Sequence, residues 1–190
     1  MADDRRERIL QAAFTCVGRY GLAKTTVEDA ARAAGLSRAT VYRYFPGGRE
    51  QLVREVISWE AGRFFARLAA AVAGAPDLPA LLEEALVFAH EAVESHEVLQ
   101  KVLQTEPEVL LGQLTVDADR IVGLVKVFLL PSFQAVALPA GASAQTVADY
   151  VARMILSFIE SPGRWDLTDR AQVRELVRTE LLAPLAGHSG

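Results

Sequence analysis

Between Ala31 and Phe45 the chain reads Ala-Arg-Ala-Ala-Gly-Leu-Ser-Arg-Ala-Thr-Val-Tyr-Arg-Tyr-Phe, and few local folds accept that order of residues. Gly35 stands where a short helix must stop, because glycine enters the left-handed backbone used at helix ends. Leu36 is apolar and can tuck the turn against a core. Ser37 follows at an N-cap position, where its hydroxyl can accept from an orphan backbone N–H of the next helix. That next helix, Arg38 to Tyr44, is about two turns long. Val41 and Phe45, four apart, share one face and can be buried. The opposite face carries Arg38, Thr40, Tyr42 and Arg43, all able to donate hydrogen bonds to phosphates or base edges. A short, capped, basic helix after a glycine turn is the sequence form of a DNA-reading helix-turn-helix.

The neighbouring segments fit around it. Ile9, Ala13, Val17 and Tyr20 recur at helical spacing, so a first helix is expected over Asp3 to Tyr20, with Asp3 and Asp4 suiting its N-terminal dipole. Gly21 ends it. Thr25 or Thr26 caps a second helix, about Val27 to Ala34, with Glu28 and Asp29 in its first turn. Pro46-Gly47-Gly48 breaks the chain, and a long fourth helix is expected from about Arg49 to Ala73. Its Leu52, Val53, Val56 and Ile57 can grip the head, while Trp59, Phe64, Phe65 and Leu68 continue into the remainder. Beyond it, Leu81 to Ala92 forms a broad apolar helical face, and a short helix is expected over Glu97 to Gln104. Ala118 to Leu130 is the most apolar segment, with Pro131 kinking or ending it. Two regular stripes close the chain: Val147, Tyr150, Val151, Met154, Ile155, Phe158 and Ile159, then Val173, Leu176, Val177, Leu181 and Leu185. No strand-like alternation stands out. The expected fold is all-α: a three-helix helix-turn-helix domain over residues 1–48, joined by a long helix to a helical domain, the two together making residues 49–190 the second unit.

Residues 9–52 resemble the DNA-binding domain of TetR-family transcriptional regulators. The resemblance rests on Ile9-Leu10-x-Ala12-Ala13, Gly21, Thr25-Thr26-Val27-x-x-Ala30-Ala31-x-x-Ala34-Gly35 and Ser37-x-x-Thr40-Val41-Tyr42-x-Tyr44-Phe45. It implies a homodimeric, ligand-responsive repressor on a near-palindromic operator in double-stranded DNA, released by a small and largely apolar effector. Arg38, Thr40 and Arg43 are then candidates for base-edge contacts, and Thr25, Thr26, Ser37, Tyr42, Tyr44 and Arg49 for phosphate contacts. Family members commonly carry a polar residue and a lysine after the recognition helix; Gly47-Gly48-Arg49 departs from that but keeps a cation. The family packs two C-terminal helices of each subunit into a four-helix bundle. On that resemblance Tyr150, Val151, Met154, Ile155, Phe158, Val173, Leu176 and Val177 are dimer-interface candidates, with ordinary intrachain core as the other reading. A small-molecule pocket is likewise implied. Phe65, Phe88, Leu103, Gln104, Leu110, Phe128, Phe133 and Met154 are its candidate lining, and the same residues read equally as plain core.

The bulk properties agree with this outline. At 51% hydrophobic content, 190 residues can bury a sizeable core. Lys126 interrupts the most apolar run, so no membrane span is expected. A charged N-terminus argues against a signal peptide, and the single cysteine, Cys16, cannot make an internal disulfide, which suits the cytoplasm. The net charge is −4, but it is unevenly spread: through Ile57 there are ten Lys/Arg against seven Asp/Glu, and the remainder holds ten against seventeen. A basic head on an acidic body suits DNA contact confined to the head.

His90 and His96 lie six apart, nearly opposite on a helix, so the zinc-protease spacing fails and a solvated face is expected; no metal or cofactor is implied. No Ser/His/Asp or phosphate-cradling arrangement is present, so no enzyme is expected. Two other classes remain at this point: a constitutive DNA-binding protein with a filled body, and a helical interaction module whose helix-turn-helix is structural.

Overall fold

In the computed structural model, which describes residues 2–109, 118–138 and 141–186, the helices follow from their sequence signals. They are α1 (Ala2–Tyr20), α2 (Val27–Ala34), α3 (Arg38–Tyr44), α4 (Gly48–Val72), α5 (Leu78–Glu94), α6 (Glu97–Thr105), α7 (Ala118–Gln134), α8 (Ala144–Glu160) and α9 (Arg170–Leu176). The chain continues from α9 through a π-helical stretch, Val177–Leu182, and a short 3-10 stretch, Ala183–Ala186. No strand occurs among the described residues, as the sequence led us to expect. No helix among them is long and apolar enough to cross a membrane.

The caps sit where polar residues meet helix starts. Thr26 accepts from Asp29 N–H, Ser37 from Thr40 N–H, Ser143 from Thr146 N–H and Asp169 from Ala171 N–H. At the other end of α2, Gly35 adopts φ +63°. This lets Leu36 N–H reach back to Ala31 O at 2.9 Å, closing the helix before the turn. Pro131 does not end α7, which runs three residues further to Gln134.

The chain divides into two units. The first takes residues through Phe64 and the described residues from Glu94 to 109. Its core gathers Ile9, Leu10, Ala13, Val27, Ala30, Ala31, Val41, Phe45, Leu52 and Val56, so α1, α2, α3 and the first turns of α4 pack on one another. A second cluster, Val17, Leu22, Val53 and Val102, with Ile57, Val98 and Leu99 against it, adds α6 to the same unit. Lys101 Nζ donates to Gly18 O at 2.6 Å and Arg19 O at 3.2 Å, neutralising the C-terminal end of α1. Glu106 accepts from Ala23 N–H at 3.0 Å. Gly21 adopts φ +91°, a conformation that glycine enters without strain, and the Glu106 carboxylate lies against it. His96 does not sit on a solvated face. Its Nδ1 accepts from Leu99 N–H at 3.0 Å and so caps α6, with Nε2 3.5 Å from Glu60 Oε1. Cys16 is buried in this unit, and burial raises its thiol pKa.

The second unit takes Phe65–Val93 and the described residues from 118 onwards. Leu82 and Leu86 of α5, Leu129 and Phe133 of α7, Val147, Val151 and Ile155 of α8, and Val173 and Leu176 of α9 share one core. Ala148 and Ala152, four apart and fully buried, keep one face of α8 small within that core. This packing corrects part of the expected dimer interface. Val151, Ile155, Val173, Leu176 and Val177 are 0–6% exposed in a single chain, so they have almost no surface left to bury against a second copy. Tyr150, Met154 and Phe158 remain half-buried at the margin of that core, and Tyr150 donates its hydroxyl to Glu180 O at 3.2 Å.

Candidate nucleic-acid interface

α3 is held from beneath by apolar contacts and offers its polar residues outward. Val41 and Phe45 are fully buried, while Ser37, Arg38, Ala39, Tyr42 and Arg43 are exposed and Thr40 is half-exposed. The Ser37 and Thr40 hydroxyls lie 2.9 Å apart. Ser37 is therefore occupied chiefly with its cap, and Thr40 keeps only part of its bonding capacity for DNA. The two tyrosines separate by environment. Tyr42 is 42% exposed, whereas Tyr44 packs against the head core with the Arg43 guanidinium 5.7 Å from its ring centroid.

The arginines also separate. Arg38 Nη1 lies 2.9 Å from Glu28 Oε1, and its Cζ stands 6.0 Å from the Tyr42 ring centroid. Arg43 is exposed and makes no ion pair among the described residues. Arg8, by contrast, is structural: it donates twice to Ala34 O, at 3.0 and 2.7 Å, and caps the end of α2.

One expected phosphate contact is corrected, and another residue has a structural role beside the expected one. Thr25 is 1% exposed and donates its hydroxyl to Gly21 O at 2.7 Å, so it cannot meet DNA; the cap is Thr26 alone. Arg49 donates to Thr25 O at 2.9 Å, Leu22 O at 2.7 Å and Ala23 O at 2.9 Å. Its guanidinium thus clamps the α1–α2 loop through Nε and Nη2, while the residue as a whole stays exposed. Hydrogen bonds from a charged donor contribute about 1.5–3 kcal/mol, so Arg49→Ala is expected to cost the head about 2 kcal/mol in urea unfolding. Arg49→Lys should restore only part of it, because one ammonium does not span three carbonyls as a planar fork does. Unchanged stability with weakened DNA binding would leave Arg49 the phosphate role alone.

The cation that the sequence reading passed over is Lys24. It is exposed, makes no ion pair among the described residues and precedes the Thr26 cap by two residues. The signal was a lysine just ahead of a capped helix start, where an anion is favoured.

The expected ligand-lining residues do not form one set. Leu103, 37% exposed, and Gln104, also exposed, lie on α6 of the first unit. Phe133 is fully buried in the core of the second. Phe65 and Phe128, both half-buried, pair at 6.0 Å between ring centroids, and Phe88 and Met154 are half-buried in the same unit. Leu110 lies outside the described residues.

Residues 9–56 match the family model for bacterial regulatory proteins of the tetR family. The uncharacterized HTH-type transcriptional regulator Rv2250c of Mycobacterium tuberculosis is 48% identical over 52 residues, 26% of this chain and 28% of that protein. The HTH-type transcriptional repressor KstR2 of Rhodococcus jostii is 30% identical over 108 residues, covering 57% of this chain and 52% of its own length. The chain thus spans about a quarter to a half of these curated relatives. In structure, the TetR family repressor AlkX of Dietzia sp. superposes with a TM-score of 0.65 at 21% identity, over 93% of this chain and 95% of AlkX. That likeness extends the shared fold beyond the head to nearly the whole all-α chain. Residues 9–56 thus form a helix-turn-helix head of the tetR-family type, and the all-α fold built upon it is shared with AlkX.

Proposed function

We propose that this protein is a sequence-specific DNA-binding transcriptional regulator of the cytoplasm, a homodimeric repressor that a small, largely apolar molecule releases from its operator. The observation that carries the reading is α3 itself: a buried underside at Val41 and Phe45 beneath an outward row of Arg38, Tyr42 and Arg43. The likeness of the head to the tetR family and of the fold to a TetR-family repressor supports the repressor and effector parts. The activity is binding and involves no catalytic step. The functional boundary is taken at residues 48 and 49, where the recognition helix has ended and α4 begins.

Each subunit of a two-fold dimer would place α3 in the major groove, with the two copies roughly 34–36 Å apart on near-palindromic DNA. Arg38 and Arg43 are assigned to base edges, with Thr40 and Ala39 beside them; an alanine methyl suits the thymine methyl. Thr26, Ser37, Tyr42, Tyr44 and Lys24 are assigned to phosphates, which fix orientation without reading sequence. Tyr150, Met154 and Phe158 are what remains of the proposed dimer contact. Phe65, Phe88, Phe128 and Met154 are what remains of the proposed effector site. Only a ligand that favours wrongly spaced recognition helices can release DNA, since equal affinity for both states shifts nothing.

Selection of bound duplexes from a random pool at about 150 mM salt tests this reading. An enriched two-fold motif is expected. Arg38→Ala should then lose about 1–3 kcal/mol of discrimination at one base pair of each half-site, with random DNA bound nearly as before. Absence of any enrichment by the folded dimer, with and without effector candidates, would sink the proposal.

A further inference from the structure

The first turn of α2 carries two acids, and the fold treats them differently. Asp29 serves its own helix: it takes the Thr26 hydroxyl at 2.5 Å and pairs with Arg32 at 3.3 Å. Glu28 has no such local duty in the described contacts. It reaches across the turn to Arg38, the first residue of α3, at 2.9 Å. Both side chains are open to solvent, Arg38 at 65% and Glu28 at 45%. Exposed pairs of this kind contribute about 0–1 kcal/mol to stability, so holding the fold together is not a sufficient reason for the contact.

The surface on which it sits makes the acid costly. A carboxylate beside the recognition helix is repelled by every phosphate near it, whatever the DNA sequence. It also occupies one edge of the guanidinium that should pair with a base. With Glu28 on one side and the Tyr42 ring 6.0 Å away on the other, Arg38 is biased towards one direction. A planar fork so biased matches the two acceptors of guanine better than a mobile one, because less side-chain freedom is lost on pairing. The carboxylate's second oxygen can accept from a cytosine N4 amine, a contact that random sequence does not supply at that place.

We infer that Glu28 is a specificity-determining residue, which orients Arg38 for base reading and penalises DNA that lacks the matching base pair. This rests on the regulator reading above. It assigns to Glu28 a loss in general affinity and a gain in discrimination.

The test compares wild type, Glu28→Gln, Arg38→Ala and the double variant, each as the full chain. The motif is first selected with wild type. Each protein is then titrated against that duplex, its single-base variants and random duplex. Glu28→Gln should melt within a degree or two of wild type, as an exposed pair requires. It should bind random duplex more tightly, and its ratio of specific to random affinity should fall about fivefold, or about 1 kcal/mol. The lost preference should fall on the base pair that Arg38→Ala also loosens, and the double variant should lose no more there than Arg38→Ala alone. Equal tightening on both duplexes would mean that Glu28 merely competes for Arg38, and the inference fails. It fails equally if Glu28→Gln leaves both affinities unchanged. If wild type selects no motif at all, the regulator reading itself falls and takes this inference with it.

Discussion

Truncating Phe45 to alanine is expected to destabilise the head by about 3–5 kcal/mol and to abolish operator binding at 37 °C. Phe45 is fully buried and closes α3, donating its N–H to Val41 O at 2.9 Å. Its ring joins Ile9, Leu10, Val41, Leu52 and Val56 in one core, with the Arg6 guanidinium 5.8 Å from its centroid. α3 has only seven residues and cannot persist by helix propensity; the contact beneath it is what keeps it formed. Removing a phenyl ring leaves a cavity that this small core can collapse around only partly. The loss is a large fraction of the 5–15 kcal/mol that a domain commonly has. Trp59 packs against the same core, so its fluorescence in a Trp165→Phe background reports the head during urea titration. A midpoint shift worth less than about 1.5 kcal/mol would show that Phe45 is not the seat of α3.

Phe45 and Arg49 differ in the range over which their roles are decided. The caps, the glycine turn and the buried side of α3 are signals spaced a few residues apart, and local chemistry decides them. Ser37, Gly35, Thr26 and Val41 therefore fell where the sequence placed them. Thr25 did not, and the clamp made by Arg49 could not be read there, because these roles are set across longer or already occupied connections. Arg49 finds three carbonyls 24 to 27 residues away, and an arginine that can meet carbonyls looks the same in sequence as one that can meet phosphate. The position of α6 was illegible for the same reason: Lys101 and Glu106 reach back more than eighty residues to Gly18 and Ala23. The stripes of α8 and α9 announced burial correctly but carried no information on whether a second chain or the same chain does the burying. Val173 and Leu176 are satisfied within one chain, and only half-buried residues such as Met154 and Phe158 keep surface to spare. Glu28 was visible as a first-turn acid, yet its tie to Arg38 depends on the angle at which α2 meets α3.

The same logic separates the aromatic residues of the second unit, and Phe133→Ala is expected to cost that unit about 3–5 kcal/mol. Phe133 was a candidate for lining an effector site. It lies fully buried among Leu82, Leu86, Leu129, Val151 and Ile155, where an apolar ring fills volume that nothing else occupies. Phe65 and Phe88 are only half-buried, so shortening them removes less buried area and leaves room for neighbours to adjust. Phe65→Ala and Phe88→Ala should each cost about 2 kcal/mol or less. Trp165 borders the same core, and in a Trp59→Phe background it follows the unfolding of this unit. A side chain that shapes a ligand site should alter effector affinity at near-normal stability, whereas a core side chain should lower stability first. Phe133 is expected in the second group and Phe65 in the first. A Phe133→Ala protein that melts like wild type but no longer responds to effector would reverse that assignment and move the pocket into the centre of the unit.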